Sequence, residues 1–322
     1  MSPPSSGSAG SALPWLAAAE VVRLLPMADA IDALEAALVA GLDPAAGSPR
    51  SVIDTRTGQL LLMPSEIEGA VGVKIVTASA GNKGRGLPRI QGVYLLIDAD
   101  SLAPVALIDG IALTSLRTPA MSAVAVKHLA APDASRLVVF GCGPQAAGHI
   151  EAVRAVRPVT DVAVVGRDPE RMARFVAEVA ASAERVRVVA GTPDAVAEAD
   201  VVVCATTAAD SVLDGRLVRD TACVVAVGSH EPHRRELPAD LMGRATVVVE
   251  DAATALREAG DIVMAVTEGV LEPADLVTIA DLVNGRATVL PGVPTVFKSV
   301  GMAWQDLVTA ALIGHRHGGA GS

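Results

Sequence analysis

Two kinds of hydrophobic pattern divide the chain. From Ala17 to Leu42, apolar residues recur at helical spacing with acids between them, and Pro26 separates two short helices. The second is expected to open near Pro26-Met27 and to stop at Gly41. Ser51 to Met63, SVIDTRTGQLLLM, alternates as a hairpin does, with its turn at Arg56-Thr57-Gly58. Val71–Val76 reads as a further strand, Ala80–Pro88 as a glycine-rich loop, and Gly92–Asp98 and Pro104–Ile108 as strands again. No strand–helix–strand alternation occurs before Arg117, so this part predicts an α+β unit with a mixed or mostly antiparallel sheet.

The second half changes register. Leu137-Val138-Val139-Phe140 is a continuous apolar run, the pattern of a strand covered on both faces. Asp161–Val165, Val186–Ala190, Ala199–Thr207, Cys223–Val227 and Val247–Val249 read as further strands, with helical stretches such as Glu170–Ala181 between them. Alternation of this kind from 120 to 290 requires a parallel open sheet with right-handed crossovers. A last helix, striped by Val300, Ala303, Trp304, Leu307 and Ala311, is expected to return to the first unit. The predicted fold class is α/β: a Rossmann-type doubly wound parallel sheet plus an α+β substrate and dimerisation domain with a mixed sheet. Residues 1–12 are expected to be a disordered tail. Residues 13–117 form the substrate domain, completed by the helix 300–322, and residues 118–299 form the dinucleotide domain.

Composition narrows the function classes. At 322 residues the chain has room for two domains, and with 51% apolar but only 2% aromatic residues its core must be Ala/Val/Leu packing. A formal charge of -10 and the lack of a basic cluster argue against a nucleic-acid partner. Three cysteines, Cys142, Cys204 and Cys223, have no metal spacing and sit in apolar runs, which suggests buried thiols in a reducing compartment. No signal-peptide pattern and no apolar run of about 18 residues is present, so a cytoplasmic protein with no membrane contact is expected.

The chemistry is concentrated in a few places. After the Leu137–Phe140 strand, Gly141, Gly143 and Ala146 spell G-x-G-x-x-A and a helix follows, the arrangement that holds a dinucleotide pyrophosphate. In NAD-specific sites an acid ends the next strand, about 20 residues on. Here Gly166 and Arg167 stand there, which favours NADP(H) while leaving NAD(H) possible, with Asp168 one step further as a ribose acceptor. Cofactor contacts are expected from Thr118, Gly141, Gly143, Pro144, Gln145, Ala146, Arg167, Thr206, Thr207, Gly228 and Ser229, which lie at strand carboxyl ends and helix starts. Lys74 interrupts an apolar strand: either its amine snorkels from an edge or it points into an anion site. Arg117 precedes Thr118-Pro119, read as the N-cap and first residue of a helix, so it is either a surface arginine or part of a carboxylate site. His230, just past a strand end, is a loop histidine or a site contact. No G-x-S-x-G elbow and no metal-ligand spacing is present.

Several segments together resemble the ornithine cyclodeaminase/μ-crystallin family: LLLMP (Leu60–Pro64), GVKIVT (Gly72–Thr77), N-x-x-x-G-L-P (Asn82–Pro88), ALTSLRTPAMSAVAVKHLA (Ala112–Ala130), GCGPQAAGHIEAV (Gly141–Val153), GRDPE, GSHEPHRREL, the AGDI of Ala259–Ile262, and FKSVG-MAWQDL. The resemblance implies a homodimer joined through the first domain's sheet. It also implies a cleft where the carboxylate of an imino or amino acid meets Arg50, Lys74 and Arg117, with Lys74 and Arg117 as catalytic residues. Cyclodeaminases of the family resemble one another in an aspartate where this chain has His230, whereas the reductases lack it. The resemblance therefore implies reduction of a small cyclic imino acid, Δ1-pyrroline-2-carboxylate or Δ1-piperideine-2-carboxylate. The rival readings are an ornithine or lysine cyclodeaminase, an alanine-type dehydrogenase, a diamino-acid synthase working by condensation, and a non-catalytic NADPH-binding protein.

Overall fold

The computed structural model describes residues 13–183 and 185–319; the expected tail at 1–12 lies outside the described residues. Strands β1 (Trp15–Leu16), β2 (Ser51–Thr55), β3 (Gly58–Ile67), β4 (Ala70–Ala78), β5 (Ile90–Asp98) and β6 (Pro104–Asp109) form a six-stranded sheet in the order β1-β6-β5-β4-β3-β2. Its neighbours are antiparallel except for β1, which runs parallel to β6, so the sheet is mixed. Helices α1 (Ala18–Leu24) and α2 (Met27–Val39) stand on either side of Pro26, and the chain leaves α2 through Gly41 in the left-handed region (φ 97°).

The second sheet has eight strands, all parallel: β7 (Arg136–Phe140), β8 (Asp161–Val165), β9 (Arg187–Ala190), β10 (Val201–Cys204), β11 (Cys223–Ala226), β12 (Thr246–Val249), β13 (Val277–Thr278) and β14 (Thr295–Lys298). Their order, β13-β12-β14-β11-β10-β7-β8-β9, reverses direction beside β7 and β10, the switch point at which an open sheet has a crevice. Successive residues of the central strands enter opposite cores. Leu137 and Val139 face one cluster, with α3 (Gly110–Leu129), α4 (Pro144–Val156) and α5 (Pro169–Ser182). Val138 and Phe140 face the other, with α6 (Ala239–Met242), α7 (Ala252–Glu258) and α8 (Gly260–Thr267). The uninterrupted Val-rich strands follow from this two-sided burial. α9 (Ile279–Val283) joins the first cluster, and the chain ends in α10 (Ala303–Gly319). That last helix packs on β3, β4 and β5 of the first sheet.

One expectation fails. The helix expected to start at Pro119, capped by Thr118, begins nine residues earlier, at Gly110, where Asp109 Oδ1 accepts from the Ile111 and Ala112 amides, both at 2.9 Å. Thr118 and Pro119 are therefore mid-helix, Arg117 is not beside a helix N-terminus, and α3 runs unbroken across the expected 117/118 domain boundary. α4 packs closely over the proline ring. A Cβ on Gly148 would lie 2.7 Å from Pro119 Cγ and 3.1 Å from the Ser115 carbonyl, so only glycine lets the two helices close over the ring. Cys204 and Cys223 are buried as expected, whereas Cys142 is half-buried in the glycine loop.

Candidate functional site

Lys74 sits in the middle of β4, 2% exposed, at the inner wall of the cleft. Its partner comes from the other end of the chain: Nζ donates to Asp306 Oδ2 at 2.7 Å and lies 3.5 Å from Thr114 Oγ1 on α3. Arg117, one turn further along α3, donates from Nε to Asp306 Oδ1 at 3.2 Å and from Nη1 to Gln305 Oε1 at 2.9 Å. One buried carboxylate thus holds two buried cations. Burial, and next the adjacent Arg117 charge, push the Lys74 ammonium down to about 8, against the opposing pull of Asp306.

The loop from Ser299 to Gly301 is fastened to the same cluster. Glu250, at the end of β12, accepts from Ser299 Oγ and from the Val300 and Gly301 amides, each at 2.9 Å, and from Gln305 Nε2 at 2.5 Å. Gly301 has φ 77°, and a side chain there would stand 2.5 Å from Arg117 Nη1. Arg50 reaches over from the first sheet's side. Its Nη2 donates to the Gly301 and Val300 carbonyls at 2.7 and 3.2 Å, and its Nε pairs with Glu258 at 3.0 Å. Expected only as a carboxylate ligand, Arg50 also straps the two halves together.

At the opposite wall, Gly141 follows β7 with φ 120°, and a Cβ there would lie 2.5 Å from the Ala205 carbonyl. Gly143 is the N-cap of α4 and Pro144 its first residue, so the helix presents free amides at a position without a side chain, where a Cβ would stand 3.8 Å from Arg171 Nη2. Arg171 donates to the Cys142 carbonyl at 3.1 Å and so lies along this loop. The Oε1 of Gln145 is buried without a hydrogen-bond partner. Free amides, a missing Cβ and a cation together suit a dinucleotide pyrophosphate, while the orphan Gln145 oxygen suits a hydroxyl or N–H donor of a ligand. At the end of β8, Arg167 is exposed, while Asp168 caps α5 by accepting from the Glu170 and Arg171 amides at 3.0 and 3.1 Å.

The floor between these walls is built on a buried ionic group that the sequence reading did not find. Glu236 accepts from the Thr206 amide and hydroxyl, both at 2.7 Å, and from the Gly228 amide at 2.6 Å. Burial raises its carboxyl above the usual carboxylate range, against the pull of Lys298. Lys298 pairs with Asp261 at 3.1 Å and donates to the Ser229 carbonyl at 2.6 Å. His230 follows on the cleft wall, exposed to the cleft, where partial desolvation, and then the Arg50 charge, hold its imidazole below the ordinary value and so mostly neutral at pH 7.

A single cleft of about 1850 Å³ is lined by Arg50, Lys74, Arg117, Thr118, Gly141, Gly143, Pro144, Gln145, Arg167, Thr206, Thr207, Gly228, Ser229 and His230. Every residue proposed from the sequence is on its wall except Ala146, which is buried behind the glycine turn with its Cβ 3.9 Å from where a Gly141 side chain would begin. Eight arginines and lysines line it against four acids, in a chain whose net charge is -10. The cleft therefore concentrates positive potential where the rest of the molecule is acidic. A smaller cavity of about 460 Å³ beside Thr55, Gln59 and Arg85 contains none of the proposed residues.

Asp306, Gln305, Glu250, Arg171 and the Glu236–Lys298–Asp261 group carry much of this geometry, and none was singled out beforehand. Asp306 had a signal: it falls between Ala303, Trp304 and Leu307 on the stripe that α10 buries, where an acid needs a cation.

Fold and cleft define a Rossmann-type α/β protein with a cation-rich crevice shared between a parallel sheet and a mixed one. The sequence model of the ornithine cyclodeaminase/mu-crystallin family matches residues 15–320, and the chain belongs to that family. It is 37% identical over 257 residues to a Delta(1)-pyrroline-2-carboxylate reductase of Bacillus cereus, covering 78% of this chain and 79% of the relative. It is 34% identical to the ketimine reductase mu-crystallin of Rattus norvegicus, with 80% of each covered. Among solved structures, the Delta(1)-pyrroline-2-carboxylate reductase of Thermococcus litoralis in complex with NADH and L-proline superposes with a TM-score of 0.88 at 29% identity, over 96% of this chain and 98% of that one.

Proposed function

We propose that the protein is an NAD(P)-dependent enzyme that reduces the C=N bond of a small cyclic imino acid, Δ1-pyrroline-2-carboxylate or Δ1-piperideine-2-carboxylate, to L-proline or L-pipecolate. The observation that carries this reading is the sharing of one carboxylate, Asp306, by Lys74 and Arg117 on the wall opposite the Gly141–Gly143 loop. That pairing leaves one positive charge uncompensated, and a substrate carboxylate supplies the missing anion. Leu61, Met63 and Val76 line the same cleft and offer the ring an apolar wall. The imino-acid reductases among its relatives, one solved with L-proline and NADH, support the same choice.

The nicotinamide cofactor, when bound, supplies the hydride. The α4 N-terminus and Arg171 are placed to receive its pyrophosphate, and Arg167 a 2′-phosphate, which favours NADP(H) with NAD(H) as the alternative. Arg117 orients the substrate carboxylate, and Arg50 holds the 300–301 loop against it. Lys74, with its value at about 8, is protonated at neutral pH and is the proton donor to the imine nitrogen. Fixing the acceptor carbon in this way lowers the barrier by restricting its orientation. His230, neutral and lacking a carboxylate's charge, offers no anchor for a side-chain amine, which favours reduction over cyclodeamination. The protein acts as a homodimer: β2 is an edge strand whose five residues are all exposed, including Ile53 at 46%.

The test is NADPH and NADH oxidation by the purified protein with five- and six-membered cyclic imino acids, with chromatography of the product amino acid. Turnover of at least one ring to its amino acid is expected. Ammonia release from ornithine, with no turnover of either imine, overturns the proposal in favour of a cyclodeaminase.

A further inference from the structure

We infer that Glu236, Lys298 and Asp261 are positioning residues for the dinucleotide: a buried ionic staple that ties the loops after β10 and β11 together and so sets nucleotide affinity. The inference rests on the dinucleotide reading of the cleft and on no choice of substrate.

The three side chains come from separate segments and are buried, with Glu236 at 0%, Asp261 at 1% and Lys298 at 1% exposure. Glu236 spans two loops. Its Oε1 takes the amide and hydroxyl of Thr206, which follows β10, and its Oε2 takes the amide of Gly228, which follows β11. Asp261, from α8, fixes Glu236 in turn: its Oδ1 accepts from the Glu236 and Leu237 amides at 2.7 and 2.8 Å, while its Oδ2 pairs with Lys298. Lys298, the last residue of β14, completes the circuit by donating to the Ser229 carbonyl.

The loops have no slack. A Cβ on Gly228 would stand 2.1 Å from the Thr206 carbonyl and 2.5 Å from Glu236 Oε1, so the β11 loop can lie against the β10 loop only as glycine. Three buried charges are an expensive way to stabilise a sheet, because well-packed apolar residues serve as well or better. They do offer directional bonds: apart from the Lys298–Asp261 pair and a 3.4 Å contact from Lys298 Nζ to the Ala226 carbonyl, those that cross between segments end on Thr206, Gly228, Ser229 or the Glu236–Leu237 backbone. Thr206, Gly228 and Ser229 line the cleft while the charges themselves lie behind them. The arrangement has the form of a shell that orients direct ligand contacts.

Two variants test the staple. Glu236→Gln keeps shape but sets an amide N–H₂ against backbone N–H donors. The double variant Lys298→Met with Asp261→Asn removes the pair together, which buried pairs tolerate better than the loss of one member, and keeps the Asn oxygen as an acceptor. Each is compared with the wild-type protein by NADPH and NADH titration in the absence of substrate, with the thermal midpoint measured alongside. The expected result is a Kd raised tenfold or more for both nucleotides in each variant. A lowered midpoint with wild-type Kd values shows a purely structural group and overturns the inference. A wild-type protein that binds neither nucleotide overturns the dinucleotide reading and the staple's role with it. Should neither variant fold, amide exchange of the wild-type protein decides: slow exchange of the Thr206 and Gly228 amides that slows further on adding NADPH or NADH is expected, and exchange that is fast, or that neither nucleotide changes, overturns the inference.

Discussion

Lys74 and Asp306, 232 residues apart in sequence, meet at 2.7 Å beneath the cleft, each at most 3% exposed at the side chain. Arg117 completes the cluster on the other carboxylate oxygen. Two cations on one buried acid form an arrangement whose stability and chemistry are inseparable, and the first prediction follows from that.

Asp306→Asn removes the shared charge while keeping its shape. Breaking a buried pair by deleting one partner costs about 3–5 kcal/mol, because the remaining charges stay desolvated. Chemical denaturation is expected to show a loss of that order, with imine reduction abolished at neutral pH. A variant as stable and as active as the wild type would contradict the assignment of Asp306 as the common counter-ion.

The Lys74 value of about 8 gives the reaction a basic limit. Below it the amine carries the proton it is to donate and the charge that faces the substrate; above it both are lost. The pH profile of kcat/KM, which reports the free enzyme, is therefore expected to be level up to about pH 8 and then to fall about tenfold per unit. Lys74→Ala should remove this limb and most of the activity together, and a profile that rises above pH 8 would exclude Lys74 as the proton donor.

Arg167 is the residue on which the cofactor preference turns. Asp168 Oδ1 is engaged as the cap of α5, and Arg167 lines the cleft beside it, so on the NADP(H) reading the guanidinium is the group that meets a 2′-phosphate. Arg167→Ala is expected to raise KM for NADPH about tenfold, about 1.4 kcal/mol, while changing that for NADH less than about twofold. Equal effects on the two would place Arg167 outside the 2′-phosphate site.

His149 predicts an acid limit to stability. It is fully buried between α3 and α4, 2.9 Å from Ser122 Oγ and 2.7 Å from the Gln145 carbonyl, and burial pushes its imidazole down to about 4. The unfolded chain protonates near 6.5 and the folded one does not, so His149's contribution is complete above pH 6.5 and is lost as pH falls toward 4. Over that window it amounts to about 3 kcal/mol at 1.36 kcal/mol per unit. His149→Gln should flatten the decline in thermal midpoint between pH 6.5 and 4, and an unchanged decline would assign it to other groups.

Local pattern sufficed where the physics is local. The Val-rich runs of β7, β10 and β11 announced a sheet buried on both faces, and Gly141 and Gly143 announced the turn that follows. Pro119 misled because proline favours a helix's first turn. The helix in fact starts at Gly110, under the Asp109 cap, and leaves Pro119 mid-helix beneath Gly148 of α4. Arg50 was legible as a cation near the site but not as a strap, since its partners are the Val300 and Gly301 carbonyls and Glu258.

By itself the sequence determined the two kinds of sheet, the glycine turn at the head of α4, and the presence of awkward cations at Lys74 and Arg117. Periodicity, turn chemistry and the cost of burying charge all act within a few residues. Only the tertiary structure decided which acids answer those cations and that Glu236, Lys298 and Asp261 meet behind the cleft. Such pairings depend on where α10, β12 and α8 finally pack, and charges brought together by packing leave no periodic trace along the chain.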